Sequence, residues 1–392
     1  MLGVSTAAGG SLRHLGLSRN GSDTQMTSKK RPPASLLLLY DSLAIRGGAE
    51  HVLMTLYSAL DADVCVGFVG QEAYGGAVDP DRLIDLRAHS YFRALELIYL
   101  LARFQRIAGL VARYPNRIYS GSYSVLASSP DHFGRSIYYC HTPPRFLYDL
   151  EHYYLSSLSP LQRPLLLALQ AWFKSRYEAS ISRMDVVLAN SLNVKHRLKH
   201  YLNVESQVVY PPVEIARFRW FGQDDYFVST ARLEPLKRVA PIIEAFTQMP
   251  DQKLVVASGG GQSKALRRLA ANASNIHFTG WLADDELSRL IGSCRASIYL
   301  AQDEDFGISP VESMAAGKPV IGVAEGGLLE TLVHDETGHL LSPSFTVDDI
   351  KIAVRSMTAA KAKALRAACE KRAALFSREA FLTAIGSTIS TR

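Results

Sequence analysis

The chain has 392 residues, of which 47% are hydrophobic and 20% charged, and it carries a formal net charge of +6 with a pI near 9.0. This length exceeds what one hydrophobic core usually holds, and the composition excludes a disordered chain, so two folded domains are expected. The positive charge indicates an anionic partner, but no block of Lys and Arg and no basic patch with interleaved aromatic residues occurs, which argues against nucleic acid.

The sequence has four cysteines without a C-x-x-C pair, Cys65, Cys140, Cys294 and Cys369. They are predicted to be reduced core residues of a cytoplasmic protein. No apolar run reaches the ~18 residues that a membrane-spanning helix needs. Residues 1–33 are rich in Ser, Gly and basic residues, so we expect a disordered N-terminal extension, in which Met26 is a second candidate start.

The first half of the chain alternates buried apolar runs with helical patterns, which predicts a parallel sheet. Strands are predicted at residues 35–40, 64–69, 117–120, 137–140, 186–189 and 207–210. Before a helix predicted at 49–60, Gly47 and Gly48 would let backbone N–H groups approach an anion, although an ordinary turn also fits. No G-x-G-x-x-G follows the first strand, which excludes a nicotinamide dehydrogenase.

Two predicted helices of this half combine apolar residues with cations. Residues 93–117 form one helix with a broad apolar face and five arginines, and residues 161–176 place leucines and aromatic residues beside Arg163, Lys174 and Arg176. A basic amphipathic helix can lie on an anionic membrane, whereas the same apolar face can also pack on the sheet. We expect peripheral contact with an anionic membrane, on its cytoplasmic face.

A histidine follows one predicted strand directly, in residues 139–150, YCHTPPRFLYDL. The two prolines after His141 would hold its imidazole rigidly, although a lone His is more often structural. Arg145 and Asp149 are four residues apart and can form a structural ion pair.

The second half repeats the alternation, with strands predicted at 226–230, 253–257, 276–278, 296–300 and 320–323. Arg232 and Lys237, at a strand-to-helix loop, supply two cations that can contact a diphosphate or remain solvated. Asp61 and Asp63 superficially resemble a metal-binding pair, but they are expected to lie solvated in a turn, and no required metal is predicted.

The most informative stretch is residues 302–320, QDEDFGISPVESMAAGKPV. Ser309 and Pro310 are predicted to start a short helix, with Ser309 as its cap, and Gly317 to end it. Glu304 then lies on the loop after a strand, and Glu312 lies inside the helix. Ligands bind beyond the carboxyl ends of parallel strands, and a helix N-terminus suits phosphate. One carboxylate can accept from sugar hydroxyls and the other from ribose, which predicts a nucleotide-sugar site.

The spacing Glu304-x7-Glu312, with Phe306 and Gly307 inside it and AAGKPV after it, resembles the signature of retaining glycosyltransferases of family 4. This resemblance covers nearly the whole chain after about residue 35. The segment H-T-P-x-R-aromatic at His141 is similar to bacterial GDP-mannose-dependent mannosyltransferases of O-antigen and exopolysaccharide synthesis.

The resemblance implies an α/β protein with the GT-B fold, two Rossmann-like doubly wound parallel-sheet domains that face a cleft. The expected segments are an acceptor-side domain at 34–215, a linker at 216–225, a nucleotide-sugar-binding domain at 226–376, and a C-terminal helix at 377–392. The last helix is expected to cross back to the first domain.

The resemblance also implies residue roles. The expected catalytic residues are His141, which approaches the donor sugar, Glu304, which orients the sugar ring, and Arg232 with Lys237, which contact the diphosphate. The donor-binding residues are expected to be Gly47, Gly48, Arg232, Lys237, Gly307, Ile308 and Glu312, the last holding the ribose.

The implied activity is retaining transfer of mannose from GDP-mannose to a lipid-linked glycan in lipopolysaccharide or exopolysaccharide synthesis, with no cofactor beyond the donor. A UDP-sugar such as UDP-glucose is the alternative donor, since no residue identifies the base. A catalytically silent nucleotide-sugar-binding scaffold is the alternative class. The joint presence of His141, Arg232, Lys237, Glu304 and Glu312 favours an enzyme, because a silent relative is free to lose several of them.

Overall fold

The computed structural model describes residues 34–44, 47–70, 74, 76–89, 93–130, 133–156 and 159–390. The predicted N-terminal extension, residues 1–33 with Met26, lies outside these residues. The described residues form one compact unit that contains two sheets. Among the helices that the structure describes, none combines the length and the apolar character that crossing a membrane requires.

The first sheet has seven parallel strands in the described part of the chain: β1 (Leu36–Tyr40), β2 (Ala62–Val66), β3 (Leu83–Asp85), β4 (Asn116–Tyr119), β5 (Arg135–Cys140), β6 (Val186–Ala189) and β7 (Gln207–Val208). Their order is β3-β2-β1-β4-β5-β6-β7. All five residues of β1 are buried, as expected for a central strand that is covered on both faces. Strand β3 was not predicted because it is a three-residue edge strand that is partly exposed.

The helices around this sheet are α1 (Gly48–Ala59), α2 (Arg93–Arg106), α3 (Ala108–Val111), α4 (Glu151–Ser156), α5 (Arg163–Ile181) and α6 (Leu192–Leu202). Short 3₁₀ turns lie at Pro80–Arg82, Ser124–Ala127, Arg145–Leu147 and Ile215–Arg217. Two apolar clusters cover the two faces of the sheet, one containing Leu37 and Leu39, the other Leu36 and Leu38. This alternation follows from the period-two geometry of a strand.

The prediction of one helix over residues 93–117 is wrong. Helix α2 ends at Arg106, and the chain re-enters the sheet at Asn116, directly after Pro115, a residue that cannot donate a helical N–H. Arg117 is fully buried on β4, where Nη1 donates to the carbonyl oxygen of Tyr114 at 2.6 Å. It therefore cannot contact a membrane. Leu100, Leu101 and Phe104 of α2 are also buried, so this apolar face packs into the core.

The second sheet has six parallel strands among the described residues: β8 (Phe227–Ser229), β9 (Leu254–Val256), β10 (Ile276–Phe278), β11 (Ala296–Ile298), β12 (Val320–Val323) and β13 (Gly338–Leu341). Their order is β10-β9-β8-β11-β12-β13. The strand order reverses at β8, as it does at β1 in the first sheet. Strand β13 was not predicted, because it begins at a glycine and its side chains are only partly buried.

The helices of the second half are α7 (Val239–Thr247), α8 (Ser263–Leu269), α9 (Asp284–Ser293), α10 (Ile308–Ala315), α11 (Leu328–Thr331), α12 (Val347–Ser356), α13 (Ala359–Ala364), α14 (Arg366–Ala374) and α15 (Arg378–Ser390). A 3₁₀ turn lies at Pro235–Lys237. The two parallel-sheet α/β domains confirm the predicted fold class.

The last helix packs on the first sheet rather than the second. Phe381 and Ile385 of α15 belong to the apolar cluster around β1, and the ring of Phe381 lies 5.8 Å from that of Tyr139. Just before α15, the backbone N–H of Val213 donates to the carbonyl oxygen of Phe376 at 2.9 Å. The chain therefore crosses between the two sheets twice, near Val213 and near Phe376.

The prediction of buried, reduced cysteines is confirmed, because all four are buried free thiols. The prediction that Asp63 is solvated is wrong. It lies buried on β2, where Arg82 Nη1 donates to its Oδ1 at 2.8 Å and Tyr114 Oη to its Oδ2 at 2.9 Å. Asp61 is exposed but pairs with the same arginine at 2.5 Å. This acidic pair thus belongs to a structural ion-pair cluster.

Candidate functional site

The predicted site residues meet in two adjoining cavities at the carboxyl ends of the strands. The first, of about 380 Å³, is lined by both sheets' loops and includes Gly48, His141, Arg232, Lys237, Glu304, Gly307 and Ile308. Gly47 and Glu312 line a second cavity of about 420 Å³, which shares Gly48, Ile308 and Ser309 with the first. Predicted site residues from four separate strand-to-helix connections are thus brought together at the carboxyl ends of the two sheets, as parallel sheets favour.

Helix α10 presents its N-terminus to both cavities. The helix begins at Ile308 after Gly307, whose φ of +91° is a conformation that glycine adopts readily. The prediction that Ser309 caps the helix is wrong, because Ser309 lies in the first turn and Gly307 holds the N-cap position. The predicted end is confirmed, since the helix stops at Ala315 and Gly317 has a φ of +70°.

Helix α1 approaches α10 closely, and a glycine makes this possible. A Cβ atom on Gly48 would lie 2.5 Å from Cδ1 of Ile308. The first turns of both helices therefore line the same cavity, and their unpaired N–H groups and positive dipole ends can bind a phosphate group.

Lys237 and Glu304 form an ion pair in the first cavity. The Lys237 Nζ lies 2.5 Å from Glu304 Oε2, and Tyr299 Oη donates to the same carboxylate oxygen at 3.0 Å. Burial alone would lower the pKa of Lys237, but Tyr299 and Glu304 raise it above its ordinary value. Lys237 is therefore a charged residue that holds Glu304 in one orientation.

Arg232 differs from Lys237 in that it is exposed and forms no ion pair with any described residue. It lies on the loop after β8 and lines the first cavity. Its charge is thus available to an anionic ligand there. The two predicted cations therefore occupy one cavity but differ in what they contact in this structure.

His141 lies directly after β5 and is held from several sides. Its Nε2 lies 2.9 Å from Ser120 Oγ, and its ring packs edge-on against Tyr139 at 5.1 Å. Burial lowers the pKa of His141 to about 4. The imidazole is therefore neutral at pH 7, when one ring nitrogen donates and the other accepts.

The loop that carries Glu304 is held by groups from both domains. The side-chain amide of Asn193, on α6, donates to the carbonyl oxygen of Glu304 at 3.0 Å, and the N–H of Gly327 donates to the same oxygen at 2.7 Å. Gly326 packs against this backbone as well. The glycine turn after β12 thus lies against the backbone of the Glu304 loop.

An ion-pair cluster crosses the cleft beside this loop. Arg197 on α6 donates to Asp303 at 2.5 Å and to Asp305 at 2.6 Å, the two neighbours of Glu304. Arg145 pairs with Asp149 at 2.6 Å, as the sequence allowed, and also with Asp303 at 3.1 Å. Glu304 is therefore flanked on both sides by residues tied to the first domain.

Glu312 lies on α10 in the second cavity, near Arg217, Asp284 and Leu287. Burial raises the pKa of Glu312 to about 7. A carboxyl group with a pKa near 7 is only partly deprotonated at neutral pH. The deprotonated form is the one that accepts hydrogen bonds best from hydroxyl groups.

Sequence reasoning missed several residues of this region. Arg197 and Glu330 act across more than 100 positions of sequence, as in the 2.7 Å bond from the N–H of Asn193 to Glu330, and no local pattern reveals such contacts. Trp281 had a detectable signal, since it follows β10 and is an aromatic residue in a polar segment. It is 71% exposed and lines the first cavity.

The described residues contain one group of three side chains close enough to hold a metal ion, His334, Asp335 and His339. This group lines neither cavity. In the two cavities, positive charge is instead offered by Arg217, Arg232, Lys237 and two helix N-termini.

Two doubly wound parallel sheets with a shared cleft between their carboxyl ends define the GT-B class of fold. Residues 213–376 match the sequence model of the family described as "Glycosyl transferases group 1". This segment covers the second sheet and both carboxylates of the Glu304-x7-Glu312 pattern, so the second domain matches this family and the predicted resemblance is confirmed.

Curated relatives are mannosyltransferases at modest identity. The chain is 27% identical over 257 residues to alpha-1,3/1,6-mannosyltransferase ALG2 of Dictyostelium discoideum, an alignment that covers 53% of this chain and 58% of the relative. It is 23% identical over 223 residues to the serotype-specific mannosyltransferase WbdA of Escherichia coli, covering 52% of this chain and 27% of the relative. The chain spans about half the length, or less, of these relatives.

Solved structures share the fold over nearly the whole chain. HepE of Anabaena, solved with UDP and glucose, has a TM-score of 0.70 at 18% identity and covers 92% of this chain and 100% of its own. WaaG, described as a glycosyltransferase of lipopolysaccharide biosynthesis, also has a TM-score of 0.70, at 14% identity, covering 91% of this chain and 100% of its own. At these identities the likeness establishes the fold alone.

Proposed function

We propose that this protein is a glycosyltransferase that transfers mannose from GDP-mannose to a lipid-linked glycan in polysaccharide biosynthesis. One observation carries the proposal: a single cavity gathers two helix N-termini, Arg232, the Lys237–Glu304 pair and His141 from both domains. The mannosyltransferase names of the curated relatives support the sugar.

The cavity suits the departure of a nucleoside diphosphate. Negative charge grows on the diphosphate as the glycosidic bond breaks, and fixed N–H dipoles and cations stabilise that charge without reorganising. Gly47, Gly48, Gly307 and Ile308 place the N–H groups, while Arg232 and Lys237 supply the cations. Because these groups provide the charge, we propose that no metal ion is required.

Glu304 positions the sugar and does not attack it. Its Oε2 already accepts from Lys237 and Tyr299, which leaves the carboxylate held rather than free to form a bond. In the proposed retaining step, the acceptor hydroxyl bonds to the anomeric carbon as the bond to the diphosphate oxygen breaks. The hydroxyl proton passes to the leaving phosphate, so no protein nucleophile is needed. His141 hydrogen-bonds the sugar, and Glu312 the ribose.

A second donor remains a candidate on a specific observation. HepE, with the same fold, was solved with UDP and glucose, and UDP-glucose therefore stands as the alternative donor. A silent nucleotide-sugar-binding scaffold is the alternative to an enzyme.

The acceptor side of the proposal includes contact with an anionic membrane at its cytoplasmic face. The fold leaves two leucines uncovered at the start of helix α5: Leu161, two residues before the helix, is 93% exposed, and Leu165, in its first turn, is 76% exposed. Arg163 lies between them, and exposed apolar residues beside cations favour an anionic lipid surface. Sedimentation with vesicles that contain anionic lipid tests this part, and Leu161→Asp with Leu165→Asp should abolish binding.

The donor is tested by thermal-shift titration of the full chain with GDP, UDP, GDP-mannose and UDP-glucose, each with and without EDTA. A ligand at 100 times its Kd stabilises the folded state by about 2.7 kcal/mol. Stabilisation by GDP and GDP-mannose that EDTA leaves unchanged is the expected result. A preference for UDP would favour UDP-glucose as the donor. Loss of binding in EDTA would contradict the proposal that no metal ion is required.

Transfer itself needs a product assay. Incubation with GDP-mannose and membrane lipid extract should give a mannosylated lipid whose new linkage has the donor's α configuration by NMR. Nucleotide binding without any transfer or donor hydrolysis would favour the scaffold.

A further inference from the structure

A third cavity adjoins the proposed donor site. It measures about 250 Å³ and shares Lys237, Glu304 and Asp305 with the first cavity. Its remaining lining residues come from both domains, namely Arg145, Tyr153 and Tyr154 from the first and Glu234, Pro235, Leu236 and Gln302 from the second. A molecule bound here would therefore lie beside the carboxylate proposed to hold the donor sugar.

Two aromatic rings form one wall of this cavity. Tyr153 and Tyr154 on α4 are 44% and 42% exposed, and their rings meet edge-to-face with centroids 5.5 Å apart. Tyr154 also packs against Phe146, at 6.3 Å, which fixes its position. Exposed tyrosines that face a cavity offer a flat apolar surface together with a hydroxyl group.

The cations in this cavity are already paired. Arg145 pairs with Asp149 and Asp303, and Lys237 pairs with Glu304. Asp305 pairs with Arg197 at 2.6 Å. Glu234 carries no cation partner among the described residues and instead accepts from the N–H of Gly261 at 3.0 Å. The cavity thus offers no unpaired cation, in contrast to the first cavity with Arg232, and a phosphate group would find no counter-charge here.

We propose that this third cavity is the acceptor subsite and that it takes a neutral sugar ring, the terminal residue of the glycan that receives mannose. Because the two rings are perpendicular, the apolar face of the sugar stacks on one of Tyr153 and Tyr154 and its edge contacts the other, while its hydroxyls donate to Glu234 and Gln302. This inference rests on the proposed function. It adds that the enzyme extends an existing glycan, and that the sugar ring that receives mannose is neutral and carries no phosphate.

The test is saturation-transfer NMR on the full-length protein, with and without GDP, using methyl α-D-mannopyranoside, methyl α-D-glucopyranoside and mannose 6-phosphate as probes. The expected result is binding of a neutral glycoside, stronger with GDP, and weaker binding of the phosphate. Tyr153→Ala and Tyr154→Ala should each weaken glycoside binding about tenfold, because each removes a stacking surface.

Three controls keep the result interpretable. Tyr153→Phe and Tyr154→Phe retain the ring and should retain most binding. Tyr99→Ala removes a comparably exposed tyrosine that lines none of the three cavities, and it should leave binding unchanged. Thermal melting of every variant with and without GDP shows whether it folds and binds nucleotide.

The possible failures of the two proposals are distinguishable. The subsite proposal is overturned if wild type and both alanine variants bind the glycoside equally, or if wild type does not bind it. If nucleotide binding is retained in that case, the proposed function still stands. Tighter binding of mannose 6-phosphate overturns the neutral class of acceptor. Absence of any nucleotide shift overturns the proposed function, whereas the glycoside titration without GDP still tests the cavity itself.

Discussion

Arg197 of the first domain donates to Asp305 of the second domain across the cleft, with Nη1 2.6 Å from Oδ1. Its other terminal nitrogen lies 2.5 Å from Asp303 Oδ2. These two aspartates flank Glu304 in the sequence, so one buried guanidinium fixes the loop that carries the proposed positioning carboxylate. The same contact joins the two domains, which couples the position of Glu304 to closure of the cleft.

Replacing Arg197 by Met should destabilise the protein and disorder the Glu304 loop. Removing one partner of a buried ion pair costs about 3–5 kcal/mol, and the partial exposure of both aspartates places the expected loss nearer about 2–3 kcal/mol. Thermal melting measures the loss. Arg355→Met is the matched control, because Arg355 and Asp251 form an exposed pair whose loss should change stability by under about 1 kcal/mol. Equal effects of the two substitutions would contradict the proposed role of the cluster.

Replacing Glu304 by Gln should impair transfer far more than donor binding. The substitution keeps the side chain's shape but removes the charge that Lys237 holds at 2.5 Å. Losing one group that stabilises the transition state costs about 10²–10³ in kcat. Steady-state kinetics with GDP-mannose should show this loss, while the thermal shift with GDP remains. Glu336→Gln, at an exposed site, is the control. A rise in KM alone, with kcat unchanged, would assign Glu304 to donor binding only.

Local patterns predicted most of the fold and named loops that the structure brings together in adjoining cavities, for physical reasons. The buried run of β1, the glycine after Phe306 and the helix-ending Gly317 each act within a few residues of themselves, and such signals are readable in sequence. Arg197 escaped notice because Asp303 and Asp305 lie more than 100 positions away and α6 gives no sign of which side chain faces the cleft. The helix predicted over 93–117 failed because its apolar period continues into a buried strand.

The affinity for GDP-mannose should rise with pH between about 6 and 8. Burial raises the pKa of Glu312 to about 7, so much of this carboxyl is protonated at neutral pH in the free protein. Ribose hydroxyls donate best to the carboxylate, so binding favours deprotonation and releases a proton. Isothermal titration calorimetry in buffers of different ionisation enthalpy measures that proton.

The diphosphate of GDP-mannose does not titrate in this range, whereas Asp305 in the first cavity also has a pKa that burial raises, to about 6, so a Glu312 variant is needed to assign the proton. Glu312→Gln should bind with an affinity that no longer depends on pH. Proton uptake by wild type, or an unchanged pH profile in the variant, would remove Glu312 from ribose binding.

Trp281 should report on the nucleobase. It is exposed in the first cavity on the loop after β10, and stacking between a base and an aromatic ring is worth about 1–3 kcal/mol by alanine substitution. Trp281→Ala should therefore weaken GDP and UDP binding about 5- to 100-fold, and GDP should quench tryptophan fluorescence in wild type but much less in the variant. Phe221→Ala removes an exposed aromatic residue that lines none of the three cavities and should change neither. An unchanged Kd in Trp281→Ala would place the base elsewhere.

Below neutral pH, His141 should make the protein lose stability. Burial lowers its pKa to about 4 in the folded state, whereas an unfolded His titrates near 6.5. Between these values the unfolded chain binds more protons, so the free energy of unfolding falls as pH falls. Wild type should lose about 2 kcal/mol from this residue between pH 7 and pH 5.

His141→Gln isolates this contribution, because glutamine does not titrate. The raised pKa values of Asp41 and Asp305, both about 6, give the opposite slope, but they are present in both proteins and cancel in the comparison. The stability of wild type relative to His141→Gln, measured by urea unfolding at several pH values, should therefore decrease steadily from pH 7 to pH 5. If the stability difference between wild type and His141→Gln stayed constant over this range, the imidazole would be accessible to water and would titrate normally. That result would contradict the conclusion that His141 is held neutral.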